Sequence, residues 1–156
     1  MSLTDIKNKS QGFTIVELLI VVVVIAILAA ITIVSYNGIT NRANASSAAS
    51  TAATWQKKIE LYQADKSQYP FAFSSISTAS DSGEAWYVAS TTPLTKSLDA
   101  TNGKTSVMVS PCGATVPTNQ ATTSGIRITY WEYNGTNTKT INLGNTTACV
   151  TAANSW

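Results

Sequence analysis

The chain has 156 residues, 12% of them charged, with 10 basic against 8 acidic side chains and a net charge of +2. That describes one domain of ordinary size once any membrane segment is set aside, and no run of like charge marks a nucleic-acid footprint. Histidine is absent, which removes the usual general base, the commonest zinc ligand and the physiological-pH switch together and argues against an enzyme.

Twelve hydrophilic residues, MSLTDIKNKSQG, open the chain and carry Lys7 and Lys9 against Asp5. The positive-inside rule keeps this end cytoplasmic and sends the C-terminal part across the membrane. From Leu18 to Val34 only Thr32 is polar, and the span from Phe13 to Tyr36 makes a helix of roughly 36 Å, long enough to cross a bilayer. A secretory signal cut after its apolar region is the competing reading, with AILAAIT as a superficial cleavage site. The stretch is too long for a simple h-region and runs on without a turn signal, so a retained anchor fits better.

Glu17 sits near the start of this hydrocarbon-like segment. An ionised carboxylate inside a membrane costs on the order of 3 kcal/mol at the centre and less near the interface, and such acids usually have a partner. Either Glu17 lies at the headgroup level, where water and lipid amines satisfy it, or it pairs with another protein group.

The string Gly12-Phe13-Thr14-Ile15-Val16-Glu17-Leu18, after a short basic leader and before a long apolar run, resembles the class III signal of type IV prepilins and the related pseudopilins. The resemblance covers about the first thirty-five residues closely, and the rest of the chain only in layout. It implies cleavage between Gly12 and Phe13 by a prepilin peptidase on the cytoplasmic side, N-methylation of Phe13, and storage in the cytoplasmic membrane as a single-pass precursor. An assembly platform and its ATPase machinery would then build a homo-oligomeric helical filament outside the cell. It further implies that Glu17 pairs with the charged N-terminus of a neighbouring Phe13. Opposite charges in a low-dielectric bundle attract strongly while either alone is penalised, so the pair sets axial register. One departure from many Gram-negative pilins is the lack of a helix-breaking Gly and Pro in the apolar half: no Gly occurs between Phe13 and Asn37, and the first Pro is Pro70. Asn37-Gly38 is the soft point instead, since Gly disfavours a helix interior by about 1 kcal/mol.

Residues 39–66 contain neither Pro nor Gly and are rich in Ala, which favours helix. Trp55, Ile59 and Tyr62, continued by Ala48 and Ala52, form one stripe able to pack on a sheet. The helix is expected to end near Ser67 to Tyr69, because Pro70 discourages helix at the residue before it. Tyr69-Pro70 resembles the tyrosine-proline turn of pilins and pseudopilins; a plain helix stop with one packed ring explains it equally well.

Residues 71–103 show little periodicity, with turn signals at Asp81-Ser82-Gly83 and Asn102-Gly103, and read as a connecting loop. Thr92 and Pro93 suggest the start of a short helix over Pro93 to Leu98. Strands are expected at Ser106 to Ser110, Ile126 to Tyr133, Thr138 to Leu143 and Ala148 to Thr151, with Ile126, Ile128 and Tyr130 alternating against Arg127, Thr129 and Trp131. Asn134-Gly135 signals a hairpin between the second and third strands. Cys112 and Cys149 have no CxxC spacing. Behind a membrane segment a structural disulfide is the natural reading, worth up to roughly 4 kcal/mol, with two buried free thiols as the alternative.

The expected fold is α+β: a leader over 1–12, an apolar helix half over 13–36, an amphipathic half over 37–69, a connecting loop over 70–103 and an antiparallel sheet with a disulfide-bounded C-terminal region over 104–156. Asp81, Glu84 and Asp99 lack the spacing of a calcium loop and read as solvated acids. Asn44, Asn134 and Asn145 head sequons, which chance explains in so Asn-, Ser- and Thr-rich a chain. Trp131, Tyr133 and Trp156 are candidate surface contacts for a neighbour or a DNA strand; sheet packing accounts for the first two, and nucleic-acid binding has no further support. With no nucleophile–base pair, metal cluster or phosphate loop visible, neither a catalytic residue nor a cofactor is expected. The function so implied is a type IV pilus subunit serving adhesion, twitching motility or DNA uptake. The alternatives are a pseudopilin of a secretion machine and an anchored domain that never polymerises.

Overall fold

The computed structural model describes residues 12–89, 94–95, 98–99, 102–103, 106–133 and 138–150. The contacts divide the chain between Ile39 and Thr40 into two units. A 52-residue helix, α1 (Ile15–Lys66), contributes to both.

In the first unit the large apolar side chains of α1 are exposed. They range from 48% exposed at Val23 to 84% at Ile15. Among the described residues α1 is the helix long and apolar enough to cross a membrane. Gly38 stays helical, as does Asn37, so the soft point leaves the helix unbroken.

In the second unit the buried side chains of α1 are Ala48, Ala52, Trp55, Ile59 and Tyr62. Their spacings alternate four and three, which keeps them on one stripe. The stripe shares a core with Ile76, Trp86, Val88, Val107, Val109, Ile126 and Ile128. α1 ends one turn before Pro70. Ser67 takes a left-handed conformation, φ 56°, and its N–H donates to the Gln63 carbonyl at 2.8 Å, closing the helix with a single capping bond.

Between helix and sheet the chain is more ordered than its lack of periodicity suggests. Single 3-10 turns occupy Phe73–Ser75 and Ala79–Asp81, and Ile76, Trp86 and Val88 are buried in the core. The Val88 N–H donates to the Ile76 carbonyl at 2.8 Å. Trp86 is held against the end of α1: its ring meets Tyr62 edge-on at 5.1 Å, and its indole N–H donates to Asp65 Oδ2 at 3.2 Å. Both turn signals are met, with Glu84 donating to the Asp81 carbonyl at 2.9 Å and Gly103 to the Asp99 carbonyl at 3.0 Å. The short helix expected over Pro93 to Leu98 is corrected at Leu94, which forms an isolated parallel bridge with Val107. The Thr95 N–H donates to the Val107 carbonyl, an extended pairing that competes directly with helix; Thr92 and Pro93 lie outside the described residues.

The sheet comprises β1 (Met108–Gly113), β2 (Gly125–Trp131), β3 (Thr138–Gly144) and β4 (Ala148–Cys149), in the order β3-β2-β1-β4. Every pairing is antiparallel. Trp131 faces Thr138 across β2 and β3, as a hairpin requires, while Asn134-Gly135 itself lies outside the described residues. Ile126 and Ile128 are fully buried, in line with the expected alternation.

β1 begins two residues later than the sequence suggests and runs through Pro111, a residue that usually argues against an inner strand. Pro111 is tolerated because its carbonyl, which accepts from the Val150 N–H at 3.0 Å, points to the side where β4 ends. The missing proline donor therefore falls where the ladder stops. Cys112 and Cys149 are direct cross-strand partners and form a disulfide.

Candidate functional site

The residues singled out for processing and assembly come together at the start of α1. Gly12 to Thr14 precede the helix, and Phe13 is 82% exposed. The leader lysines Lys7 and Lys9 lie outside the described residues.

Thr14 caps the helix. Its hydroxyl oxygen accepts from the Glu17 N–H at 3.2 Å. Glu17 answers with one carboxylate oxygen, Oε2, which accepts from the Thr14 N–H at 2.9 Å and from the Thr14 hydroxyl at 2.7 Å. This reciprocal arrangement is a capping box, which satisfies backbone donors that a helix start would otherwise leave orphaned. The carboxylate also lies at the positive end of the helix macrodipole.

Glu17 thus has a partner inside its own chain, an explanation the sequence reading missed. The signal was present: Thr14-Ile15-Val16-Glu17 is Thr-x-x-Glu ahead of an apolar run. Only Oε2 is engaged by Thr14, and the other oxygen makes no hydrogen bond among the described residues. The site can therefore hold a carboxylate in an apolar setting and still offer an acceptor outward.

The other singled-out residues stand apart in the second unit. The Cys112–Cys149 disulfide ties β4 to β1. No group of three metal-ligating side chains forms among the described residues. Asp99 is engaged locally with Asn102, whose N–H donates to Asp99 Oδ1 at 3.0 Å. Asn145 accepts from the Thr147 N–H and hydroxyl at 3.1 and 2.7 Å. Trp131 and Tyr133 are half-buried, and Trp156 lies outside the described residues.

Residues 7–33 match the family model described as the prokaryotic N-terminal methylation motif. Neither a curated protein nor a solved structure matches the chain. The matched segment contains Gly12, Phe13, Thr14 and Glu17 and most of the exposed apolar half of α1.

Proposed function

The chain bears the N-terminal methylation signal of the type IV prepilins, the precursors of pilins and pseudopilins, and from that premise we propose that it is the structural subunit of a type IV pilus. The precursor sits in the cytoplasmic membrane through the apolar half of α1, is cleaved after Gly12 by prepilin peptidase, and is methylated on Phe13. It then polymerises through its N-terminal helix into a surface filament for adhesion, twitching motility or DNA uptake.

The observation that carries this reading is the order of parts at the N-terminus. The Gly12–Phe13 bond lies in non-helical backbone, directly before a capped helix that is exposed along its apolar length. A peptidase needs an unfolded bond, and an apolar helix needs lipid or copies of itself. In a filament the free oxygen of Glu17 accepts from the new amino group of a neighbouring Phe13, setting register while Thr14 keeps the other oxygen occupied.

Intact mass of the protein in filaments sheared from cells tests the proposal. The expected mass is that of a chain beginning at methylated Phe13, less two hydrogens for the disulfide. Full-length chain confined to the membrane fraction would overturn polymerisation and leave an anchored domain. A processed chain that never reaches sheared material would place it among the pseudopilins.

A further inference from the structure

The face of the sheet opposite the core carries a hollow of about 310 Å3 that the assembly reading does not use. Ser110, Thr129, Thr138 and Thr140 line it with hydroxyls, Arg127 lies among them, and Met108 and Val150 supply apolar wall. All belong to the second unit.

Two of the hydroxyl residues are buried to an unusual degree for their chemistry. Ser110 is 3% exposed and Thr129 5%, yet their hydroxyls make no hydrogen bond among the described residues. The residues are buried as wholes, but neither hydroxyl oxygen is among the buried unpaired polar atoms, so both keep access to solvent. Here the surface they retain faces the hollow.

Arg127 is positioned rather than neutralised. Its Nη2 donates to the Thr146 carbonyl at 2.9 Å and its Nε to Asn142 Oδ1 at 3.4 Å. Among the described residues the ion pairs are Lys66–Asp65 and Lys139–Glu132, so none of their carboxylates claims this guanidinium. Of its five donors, three are left for a ligand. The two neutral acceptors hold the fork in place at the hollow without cancelling its charge.

We propose that this hollow binds a carboxylate carried on a polyhydroxylated body the size of one sugar residue, a hexuronate being the simplest example. The guanidinium takes the carboxylate by charge-assisted hydrogen bonds. The hydroxyls of Ser110, Thr129 and Thr140 both donate and accept, as sugar hydroxyls require of their partners. Met108 and Val150 cover the ligand's C–H edge. The volume lies at the small end of ligand pockets, which suits a single ring. A ligand of some thirteen heavy atoms at ordinary efficiency implies a Kd of about 1 mM. The lining residues named all come from one chain, so the inference does not rest on polymerisation.

The test uses the full chain in detergent micelles, titrated with D-glucuronate and followed by saturation-transfer NMR, with D-glucose, acetate and inorganic sulfate as separate probes. Saturable binding of glucuronate is expected, with glucose and acetate each at least about tenfold weaker. Arg127→Gln should weaken glucuronate by about tenfold or more. Because that change also disturbs the Thr146 contact, Thr140→Val on the exposed strand serves as the second variant and should weaken binding by about threefold to tenfold with unchanged thermal unfolding. The inference is overturned by no saturable glucuronate signal, by sulfate or acetate binding as well as glucuronate, or by binding that both variants leave intact.

Discussion

At the scale of single residues, Thr14 and Asp65 each do something that their side-chain type permits and their neighbours enforce. Thr14 supplies the oxygen that ends the unpaired start of α1, and Glu17 returns the bond. Thr14→Val keeps the shape and removes both hydroxyl contacts, so it should cost about 1 kcal/mol of local helix stability. Amide exchange at Ile15 to Glu17 in micelles should accelerate about fivefold; unchanged exchange would show that the cap contributes nothing. Asp65 accepts from the Lys66 ammonium at 2.9 Å and from the Trp86 indole. The Lys66 hydrogen bond is the main cause that holds its carboxyl below the ordinary 3.8, partly opposed by desolvation and aided by Trp86. A depressed carboxyl stabilises the fold above its unfolded value and loses that contribution as pH falls through the folded one. The difference in Tm between the native chain and Asp65→Asn should therefore be constant from neutral pH down to about 5 and shrink below 3.8. A difference that persists in strong acid would assign Asp65 a purely steric role. The Glu17 signal was legible as a carboxylate in need of a partner. Its local partner is carried by the Thr-x-x-Glu spacing, a short-range signal that stands apart from the apolar periodicity around it.

At the scale of elements, α1 and the strands were legible because periodicity reports burial. The stripe Ala48, Ala52, Trp55, Ile59, Tyr62 is what the sequence predicts, and it is what the second unit buries. The connecting segment was not legible in the same way. Ile76, Trp86 and Val88 reach the core from irregular backbone, where no repeat links one buried side chain to the next. β1 runs past the expected Ser110 through Pro111, a residue that argues against an inner strand, and the end of β4 beside it is what makes the proline acceptable. A similar long-range device holds the exit from α1. Gln120 accepts from the Phe71 N–H at 2.9 Å and donates to the Tyr69 carbonyl, so one amide brackets Pro70 as a partner strand would. On the other side Tyr69 packs where Gly144, at φ 67°, lacks a side chain; a Cβ there would stand 2.6 Å from the ring. Gln120→Ala leaves two backbone groups without their partner and should destabilise the second unit by about 1–3 kcal/mol. Denaturant unfolding followed by tryptophan fluorescence measures this, and a loss under about 0.5 kcal/mol would mean that water replaces the amide.

At the scale of the whole molecule, the two units face opposite physical demands. The first exposes its apolar side chains and gains stability only when lipid or other copies cover them. The second has its own core, closed by a sheet whose last strand is two residues long. Two residues of ladder cannot hold a chain segment against its conformational entropy, which runs to about 1–2 kcal/mol per residue. The disulfide does so instead, closing a sequence separation of 37 residues. On the chain-entropy account that closure is worth about 4 kcal/mol. A fragment spanning residues 40–156 should accordingly be a folded monomer by sedimentation. Reduction, or the paired change Cys112→Ser with Cys149→Ser, should lower its Tm by on the order of 10–15 °C. Exchange at the Val150 amide should rise first, since its bond to Pro111 depends on β4 staying in place. If the reduced fragment melts at the same temperature, β4 is held by its neighbours and not by the sulfur bridge. If the fragment aggregates with its disulfide intact, the division at Ile39 does not mark a unit that folds alone.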